Sequence, residues 1–330
     1  MVLSLALKKM IKLKDLLPTN LSTEKEKFFA QGGNYNPQFQ YQNSITESGL
    51  DYYGRARWKY LHLAKKIVNQ AQKEQLFLKD QSLNSNLDQE NTQKLITNYL
   101  NDYALANKYQ VVFNEHLTSR FAVNFKENFI KIRLPINFSK KSLDNILNHE
   151  LGTHVLRQEN YLQQPWYHRK KEFGFANHLR TEEGLAVIHQ HLNSDQQLLY
   201  QTALSYLGCH LASRADFKTI YQFFYHYFKN PQKAWSQALK SKRGLKDTSL
   251  AGGFTKSLVY LEGVVQVSQY LHRHHYDPSL LYYGKLAIQD LQKAQKMNPH
   301  YQLILPKFYT DNPSAYQEKV VTIAKRNFIF

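Results

Sequence analysis

The segment Asn148-His-Glu-Leu-Gly-Thr-His154 brings together residues that could bind and use a metal ion. Its form is His-Glu-x-x-x-His, one residue longer than the motif that places two zinc ligands on one helix face in many peptidases. Residues four apart in an α-helix differ by about 40° around the axis, whereas residues five apart differ by about 140° and cannot share an ion. A shared metal therefore requires a bulge. Gly152 and Thr153 are weak helix formers, at which a π-type insertion costs least.

A second segment, Thr181-Glu-Glu-Gly-Leu-Ala186, offers the carboxylate that a catalytic zinc needs as its third protein ligand. Each segment also has a purely structural interpretation. The histidines could cap a helix or form hydrogen bonds in a core, and Thr181 could cap a helix whose first turn holds two acids favoured by the helix dipole. The occurrence of both segments in one chain favours the metal site over these alternatives.

Most of the secondary-structure elements that must position these residues are predicted to be helices, because their apolar residues recur with the period of a helix. Leu143, Leu147 and Leu151 predict a helix through the first segment, with Ser142 as its N-cap. Alternation within 109–134 predicts three short strands, with a hairpin turn at Lys126-Glu-Asn128. The other predicted helices cover 53–76, 88–106, 181–192, 195–213, 217–228, 259–273 and 280–296. We therefore predict a mostly α-helical α+β fold with one small antiparallel sheet, about 109–134, next to the helix of the candidate site.

Composition limits the class of protein. Lys and Arg number 43 against 26 Asp and Glu, and the net charge of +17 favours an anionic partner such as nucleic acid, an anionic membrane or an acidic protein tail. Because every long apolar run is interrupted by charges, we expect no membrane span. A single cysteine, Cys209, rules out an internal disulfide framework and fits a reducing compartment.

The N-terminal residues and the spacing of glycine and proline bear on location and domain organisation. The apolar residues 2–7 precede the first lysines, which is the reverse of a secretory signal, so we expect a cytoplasmic protein. Gly and Pro are too sparse to mark a clear domain boundary. We predict a basic N-terminal segment over 1–30 and a single domain over 31–330.

Several motifs together resemble a known family. The segments that begin at His149 and Thr181, with Gln164-Pro-Trp166 between them, are similar to motifs of the microtubule-associated tyrosine carboxypeptidase family, whose bacterial relatives are named for a Gln-Glu-Gly-Leu-Ala motif. Further similar blocks extend the resemblance over about 36–290. They begin at Asn36, Phe113, Arg243, Gly252, Val259 and Tyr283.

This resemblance implies a zinc metallocarboxypeptidase with a zinc-peptidase-like helical core and one Zn²⁺ per chain. His149, His154 and Glu183 would bind the metal, and Glu182 would orient a ligand histidine from behind. Glu150 would be the general base, which takes a proton from the attacking water and returns it to the leaving amine. The resemblance also implies the substrate, which is an acidic C-terminal tail such as that of α-tubulin, from which a terminal tyrosine is removed.

A carboxypeptidase must also bind a terminal carboxylate, for which a positioned cation is required. Arg243 and Lys256 are the candidates, because they lie in two glycine-containing loops that match the family. Tyr260 is a candidate donor to the oxyanion. The alternatives are a solvated basic loop for the cluster of Lys240, Lys242, Arg243 and Lys246, and a core position for Tyr260.

Three other functions stay open at this point. A nucleic-acid-binding protein would explain the net charge of +17, but no signature of a common nucleic-acid-binding fold is found, so nucleic acid is not the expected partner. A protein that binds acidic tails without catalysis would leave Glu150 without a purpose. A zinc endopeptidase would use the same metal site without a carboxylate-binding cation.

Overall fold

The computed structural model describes residue 11 and residues 13–79, 87–115, 117 and 119–330. Much of the predicted N-terminal segment 1–30 is described, but residues 1–10 and 12 lie outside these ranges. The described chain divides into two compact units. The first comprises Met1–Gln81 with Leu199–Leu261, and the second comprises Ser82–Leu198 with Glu262–Phe330. A single domain over 31–330 stays a prediction.

Helices make up most of the described chain, as predicted for a mostly α-helical α+β fold. None of the described helices is long and apolar enough to cross a membrane. In chain order the α-helices are α1 (Leu21–Ala30), α2 (Glu47–Leu50), α3 (Trp58–Lys73), α4 (Leu76–Lys79), α5 (Gln89–Asn101), α6 (Lys140–His149), α7 (Leu156–Leu162), α8 (Leu179–His191), α9 (Tyr200–Ala212), α10 (Phe217–Phe228), α11 (Pro231–Lys242), α12 (Leu258–Arg273), α13 (Leu291–Met297), α14 (Lys307–Thr310) and α15 (Pro313–Arg326).

The first unit is built on two helix pairs. Helix α3 packs on α9, and α10 packs on α11. Its aromatic core includes Phe28, Phe217 and Trp235, whose rings lie about 5 Å from one another in tilted or edge-on contacts. One face of α10 is apolar and buried in this core. The apolar repeat at 217–228 therefore predicted α10 with the bounds that the structure has.

The sheet of the second unit is mixed rather than antiparallel. Its strands are β1 (Gln110–Asn114), β2 (Phe121–Asn124) and β3 (Phe129–Arg133), in the order β1-β3-β2. The hairpin of β2 and β3 is antiparallel, as predicted, whereas β1 and β3 are parallel. The prediction of an antiparallel sheet is therefore wrong for β1. Strand β3 lies between β1 and β2 and pairs with both of them.

Helix α6 begins earlier than its apolar pattern indicates. Ser139 is the N-cap, and its hydroxyl accepts from the backbone N–H of Ser142 at 3.2 Å. The Ser142 hydroxyl in turn accepts from the backbone N–H of Ser139 at 2.9 Å, which completes a capping box. The prediction of Ser142 as N-cap is wrong because the first turn, which includes Lys140 and Lys141, is polar and precedes the apolar repeat.

The predicted helix over 280–296 is wrong for residues 280–290, whereas its last residues lie in α13. The chain instead forms a 3₁₀ turn at Ser279–Tyr282, a loop, a second 3₁₀ turn at Ile288–Asp290 and only then α13. Gly284 interrupts the helix with φ of +98°, a conformation that favours glycine. This loop carries two residues that contact the candidate site, Tyr282 and Lys285.

Candidate metal centre

The chain continues from α6 through a π-helical segment, Glu150–Val155, into α7. The backbone N–H of Leu156 donates to the carbonyl of Leu151, five residues back, and also to that of Thr153. Because the hydrogen bond here spans five residues rather than four, the rings of His149 and His154 lie with their centroids 5.0 Å apart. The bulge predicted from the spacing of the two histidines is confirmed, and strand β2 lies against this segment, as predicted for the sheet.

His149, His154 and Glu183 form a group that could hold a metal ion. One potential ligand atom from each lies within 4.8 Å of the other two. The Nε2 atom of His154 is 3.8 Å from Oε2 of Glu183. Two imidazoles and one carboxylate are a donor set that zinc accepts, with its fourth position open. The residues present therefore fit this metal.

The environment of the two histidines also suits metal ligands. Burial lowers the pKa of His149 to about 3, so its ring is neutral near pH 7 and retains a lone pair. Its Nδ1 atom is buried and has no hydrogen-bond partner among the described residues. Burial alone would lower the pKa of His154, but the hydrogen bond and charge of Glu182, followed by the charges of Glu183 and Glu150, raise it.

Glu182 and Glu183 have different surroundings. The carboxylate of Glu182 lies 2.8 Å from Nδ1 of His154, 3.0 Å from Nε2 of His178 and 3.1 Å from Nζ of Lys285. Burial by itself would raise the pKa of Glu182, but the charge of Lys285 and the hydrogen bonds of the two histidines hold it well below its usual range. Glu182 therefore orients the ring whose other nitrogen faces Glu183, an arrangement typical of metal-bound histidine.

Two partners of Glu182, His178 and Lys285, were missed in the sequence. Lys285 lies in the sequence block that begins at Tyr283 and resembles the family, but the sequence did not indicate a role for this lysine. Lys170 completes the network, since its Nζ lies 2.9 Å from Nδ1 of His178 and donates to the carbonyl of Lys285 at 2.6 Å. The contacts of Lys285 join segments more than one hundred residues apart, for which sequence spacing offers no signal. His178, by contrast, lies four residues before Glu182, and this spacing along one helix could have predicted their contact.

The structural alternative for Thr181 is wrong. Helix α8 begins at Leu179, so Thr181 lies inside the helix, where its hydroxyl accepts from the backbone N–H of Ile288 at 3.1 Å. Further along α8, a Cβ atom on Gly184 would overlap the carbonyl of Gly263 in α12. This backbone contact explains the glycine after the two acids and fixes the helix that carries them.

Arg243, Lys256 and Tyr260 lie in the first unit, where each of the two cations lies near an aromatic ring. The Arg243 guanidinium carbon is 5.1 Å from the centre of the Phe254 ring, and Nζ of Lys256 is 5.7 Å from that of Tyr260. Nζ of Lys240 lies 5.5 Å from the same Tyr260 ring. Burial lowers the pKa of Arg243, whose Nε atom has no hydrogen-bond partner among the described residues.

The alternative of a solvated basic loop is wrong for part of this region. Helix α11 extends to Lys242, which is fully buried and donates from Nζ to the carbonyl of Leu250 at 2.5 Å. Burial lowers the pKa of Lys242 to about 8. Lys246, by contrast, is exposed.

Comparison with known proteins agrees with the resemblance seen in the motifs. A model of the family described as microtubule-associated tyrosine carboxypeptidase matches residues 42–329. The chain belongs to this family. It is 33% identical over 304 residues to human microtubule-associated tyrosine carboxypeptidase 1, an alignment that covers 86% of this chain and 61% of the relative. It is 30% identical over 327 residues to mouse putative tyrosine carboxypeptidase MATCAP2, with 97% of this chain and 62% of the relative covered. The chain thus spans about three fifths of the length of these members of the tyrosine carboxypeptidase family.

Proposed function

We propose that this protein is a zinc metallocarboxypeptidase that removes a C-terminal residue, with tyrosine as the preferred one, from an acidic protein tail such as that of α-tubulin. The observation that carries the proposal is the group formed by His149, His154 and Glu183 in a member of the tyrosine carboxypeptidase family. Glu150 follows His149 in the chain, and its charge acts on His154. Residues 31–330 would form one catalytic domain, and the protein would act in the cytoplasm.

The side chains around this group account for hydrolysis without a covalent intermediate. Bound zinc would supply an acidified water and a Lewis acid for the scissile carbonyl. Glu150 accepts the proton of the attacking water and delivers it to the leaving amine. Glu182 keeps the His154 ring oriented, because three partners hold its carboxylate.

The cations of the first unit are proposed to select the end of the substrate chain. Arg243 is largely desolvated, and its Nε atom lacks a hydrogen-bond partner among the described residues. A terminal carboxylate would satisfy such a guanidinium, and Lys256 would add a second charge. Tyr260, which both Lys240 and Lys256 contact through its ring, would donate its hydroxyl to the oxyanion.

The net charge of +17 supports an acidic tail as substrate. Positive potential raises the rate at which an acidic peptide meets the protein. The names of the relatives, which refer to tyrosine carboxypeptidases and in one case to microtubules, support tyrosine as the terminal residue removed.

The decisive experiment combines metal analysis with mass spectrometry of a peptide. The purified protein should contain about one zinc per chain and should shorten a glutamate-rich peptide by its C-terminal tyrosine, whereas the amidated peptide should remain intact. Chelation should stop the reaction and added zinc should restore it. Internal cleavage of the amidated peptide would indicate an endopeptidase. A zinc-loaded protein that binds the peptide without cleaving it would indicate an acidic-tail-binding protein.

A further inference from the structure

The π-helical segment deprives a backbone carbonyl of the partner that it has in an ordinary helix. In an undistorted α-helix the N–H of Leu156 would donate to the carbonyl of Gly152, four residues back. Here that N–H donates to Leu151 and Thr153 instead. The Gly152 carbonyl accepts the phenolic O–H of Tyr282 at 2.6 Å. A buried side chain from a distant segment thus takes over a bond that the helix has given up.

A second contact holds the same turn through Thr153. Its hydroxyl donates to the carbonyl of Asn148 at 3.0 Å, which uses the only proton that a hydroxyl can give. Nδ1 of His189 lies 2.7 Å from that hydroxyl oxygen and must therefore be the donor. Nε2 of His189 then accepts from the hydroxyl of Tyr316 at 3.0 Å. A single neutral tautomer satisfies the whole chain of bonds.

The burial of His189 agrees with this neutral form. Its side chain is fully buried, and this burial lowers its pKa well below the usual value. Tyr282 is also fully buried. Its oxygen lies 3.4 Å from Nδ1 of His189, so the two side chains contact each other as well as the turn.

The segment that carries Tyr282 is anchored independently. Arg157, which is fully buried in α7, donates to the carbonyl of Gly284 at 3.1 and 3.2 Å and to that of Leu286 at 2.9 Å. The turn is also closely packed at Gly152, where an added Cβ atom would meet the hydroxyl of Tyr99 and the ring of Phe308.

We propose that Tyr282 and His189 are positioning residues that hold the π-helical turn and so set the distance between the two ligand histidines. The inference rests on the proposed metal site. If the turn relaxed to an α-helix, His149 and His154 would lie about 140° apart around the axis, too far to share an ion. Metal affinity would then depend on hydroxyl and imidazole groups that do not bind the metal.

The test compares two neighbouring tyrosines. Tyr282→Phe removes the hydroxyl that donates to the Gly152 carbonyl. Tyr283→Phe removes a hydroxyl that donates to the carbonyl of Asn298 at 2.5 Å. Both side chains are buried, so both variants lose one bond to a backbone carbonyl. Zinc affinity would be measured by competition with a chromogenic chelator. The absorption spectrum of the cobalt-substituted protein would report the geometry of the site. The melting temperature of the metal-free protein would also be determined.

We expect Tyr282→Phe to raise the zinc dissociation constant by about 10- to 100-fold, as for other residues that orient metal ligands, and to change the cobalt spectrum. Tyr283→Phe should lower the melting temperature and leave both metal readouts unchanged. Thr153→Val should reproduce the effect of Tyr282→Phe, because it removes the other bond to the turn.

Two results would overturn the inference in different ways. Equal zinc affinities and equal cobalt spectra for Tyr282→Phe and Tyr283→Phe, with a wild-type chain that binds zinc, would remove the positioning role and leave the proposed function intact. A wild-type chain that binds no zinc would overturn the proposed function and this inference together.

Discussion

The candidate metal centre and the cluster around Tyr260 hold their charged groups in different ways. In the candidate metal centre, the carboxylate of Glu182 contacts His154, His178 and Lys285 within 3.1 Å. In the cluster of the first unit, the cations of Arg243 and Lys256 lie over the faces of aromatic rings.

This difference indicates that the two regions are suited to different kinds of binding. A carboxylate that is contacted by several hydrogen-bond donors has one stable position. This suits a group that must keep a metal ligand in place. An aromatic face orients a cation without neutralising it, which suits a site that must accept an anion. The predictions below test whether the first region is indeed a rigid metal site and the second an anion site.

The largest effect is expected from the proposed metal ligands. His149→Ala, His154→Ala and Glu183→Ala should each bring the zinc content of the purified protein close to zero and abolish peptide cleavage, because two protein ligands hold zinc poorly. Metal content would be measured after dialysis, and circular dichroism would verify the fold. Retained zinc in Glu183→Ala with loss in Glu182→Ala would reverse the assignment of the two acids.

Glu150→Gln should come next and should separate binding from chemistry. We expect turnover to fall by about 10²- to 10⁴-fold, because the amide cannot take a proton, while zinc content stays at the wild-type level. Turnover and metal content would be measured on the same sample. Wild-type turnover in this variant would exclude Glu150 as the general base.

A smaller loss of zinc binding or activity is expected when the carboxylate of Glu182 is removed. Glu182→Ala should weaken zinc binding or activity by about 10- to 100-fold, since His154 keeps its place on the helix but loses its orienting partner. Exposed Glu172 offers a control on the same unit, and Glu172→Ala should leave zinc affinity unchanged. If both variants bind zinc as tightly as wild type does, the network around Glu182 has no part in metal binding.

The proposed anion site at Arg243 and Lys256 should show a weaker and more selective effect. Arg243→Ala should lower kcat/KM by about tenfold or more for a peptide with a free terminus, because a hydrogen bond to a charged group is lost. Lys256→Ala should act in the same direction, whereas Lys246→Ala, at an exposed lysine, should not. Equal losses in all three variants would assign the effect to general charge.

Salt should produce the smallest effect. Interactions between exposed charges are screened over about 8 Å at physiological ionic strength, so kcat/KM for a glutamate-rich peptide should fall as salt is raised, while kcat changes less. A neutral peptide with the same last two residues is the control. If both peptides are cleaved equally well at low salt, the positive charge of the chain serves another partner.

The first metal-binding segment shows how much the sequence can predict. The five-residue separation of His149 and His154 requires a bulge for any shared ion, and the π-helical segment has the predicted place and form. Strand alternation likewise predicted the hairpin of β2 and β3. Both features follow from angles and repeats within a few residues, which spacing along the chain records directly.

The position of β1 and the contact of Lys285 with Glu182 were beyond such reasoning. Strand alternation does not say which strand pairs with which, so the parallel pairing of β1 and β3 could not be foreseen. Lys285 meets Glu182 only because α8 and the loop after the Ser279–Tyr282 turn pack together. His178 lies four residues before Glu182 at the start of the same helix, so its contact could have been predicted from spacing.

By itself, the sequence determined the family, the helical character of the chain and the residues able to bind a metal, because these depend on residue type and local spacing. Only the tertiary structure decided that Glu182 faces the back of His154 while Glu183 faces its other nitrogen. It also decided that Tyr282 and His189 complete the π-helical turn. Such contacts join residues far apart in the chain, and their geometry is set by how helices pack rather than by any repeat in the sequence.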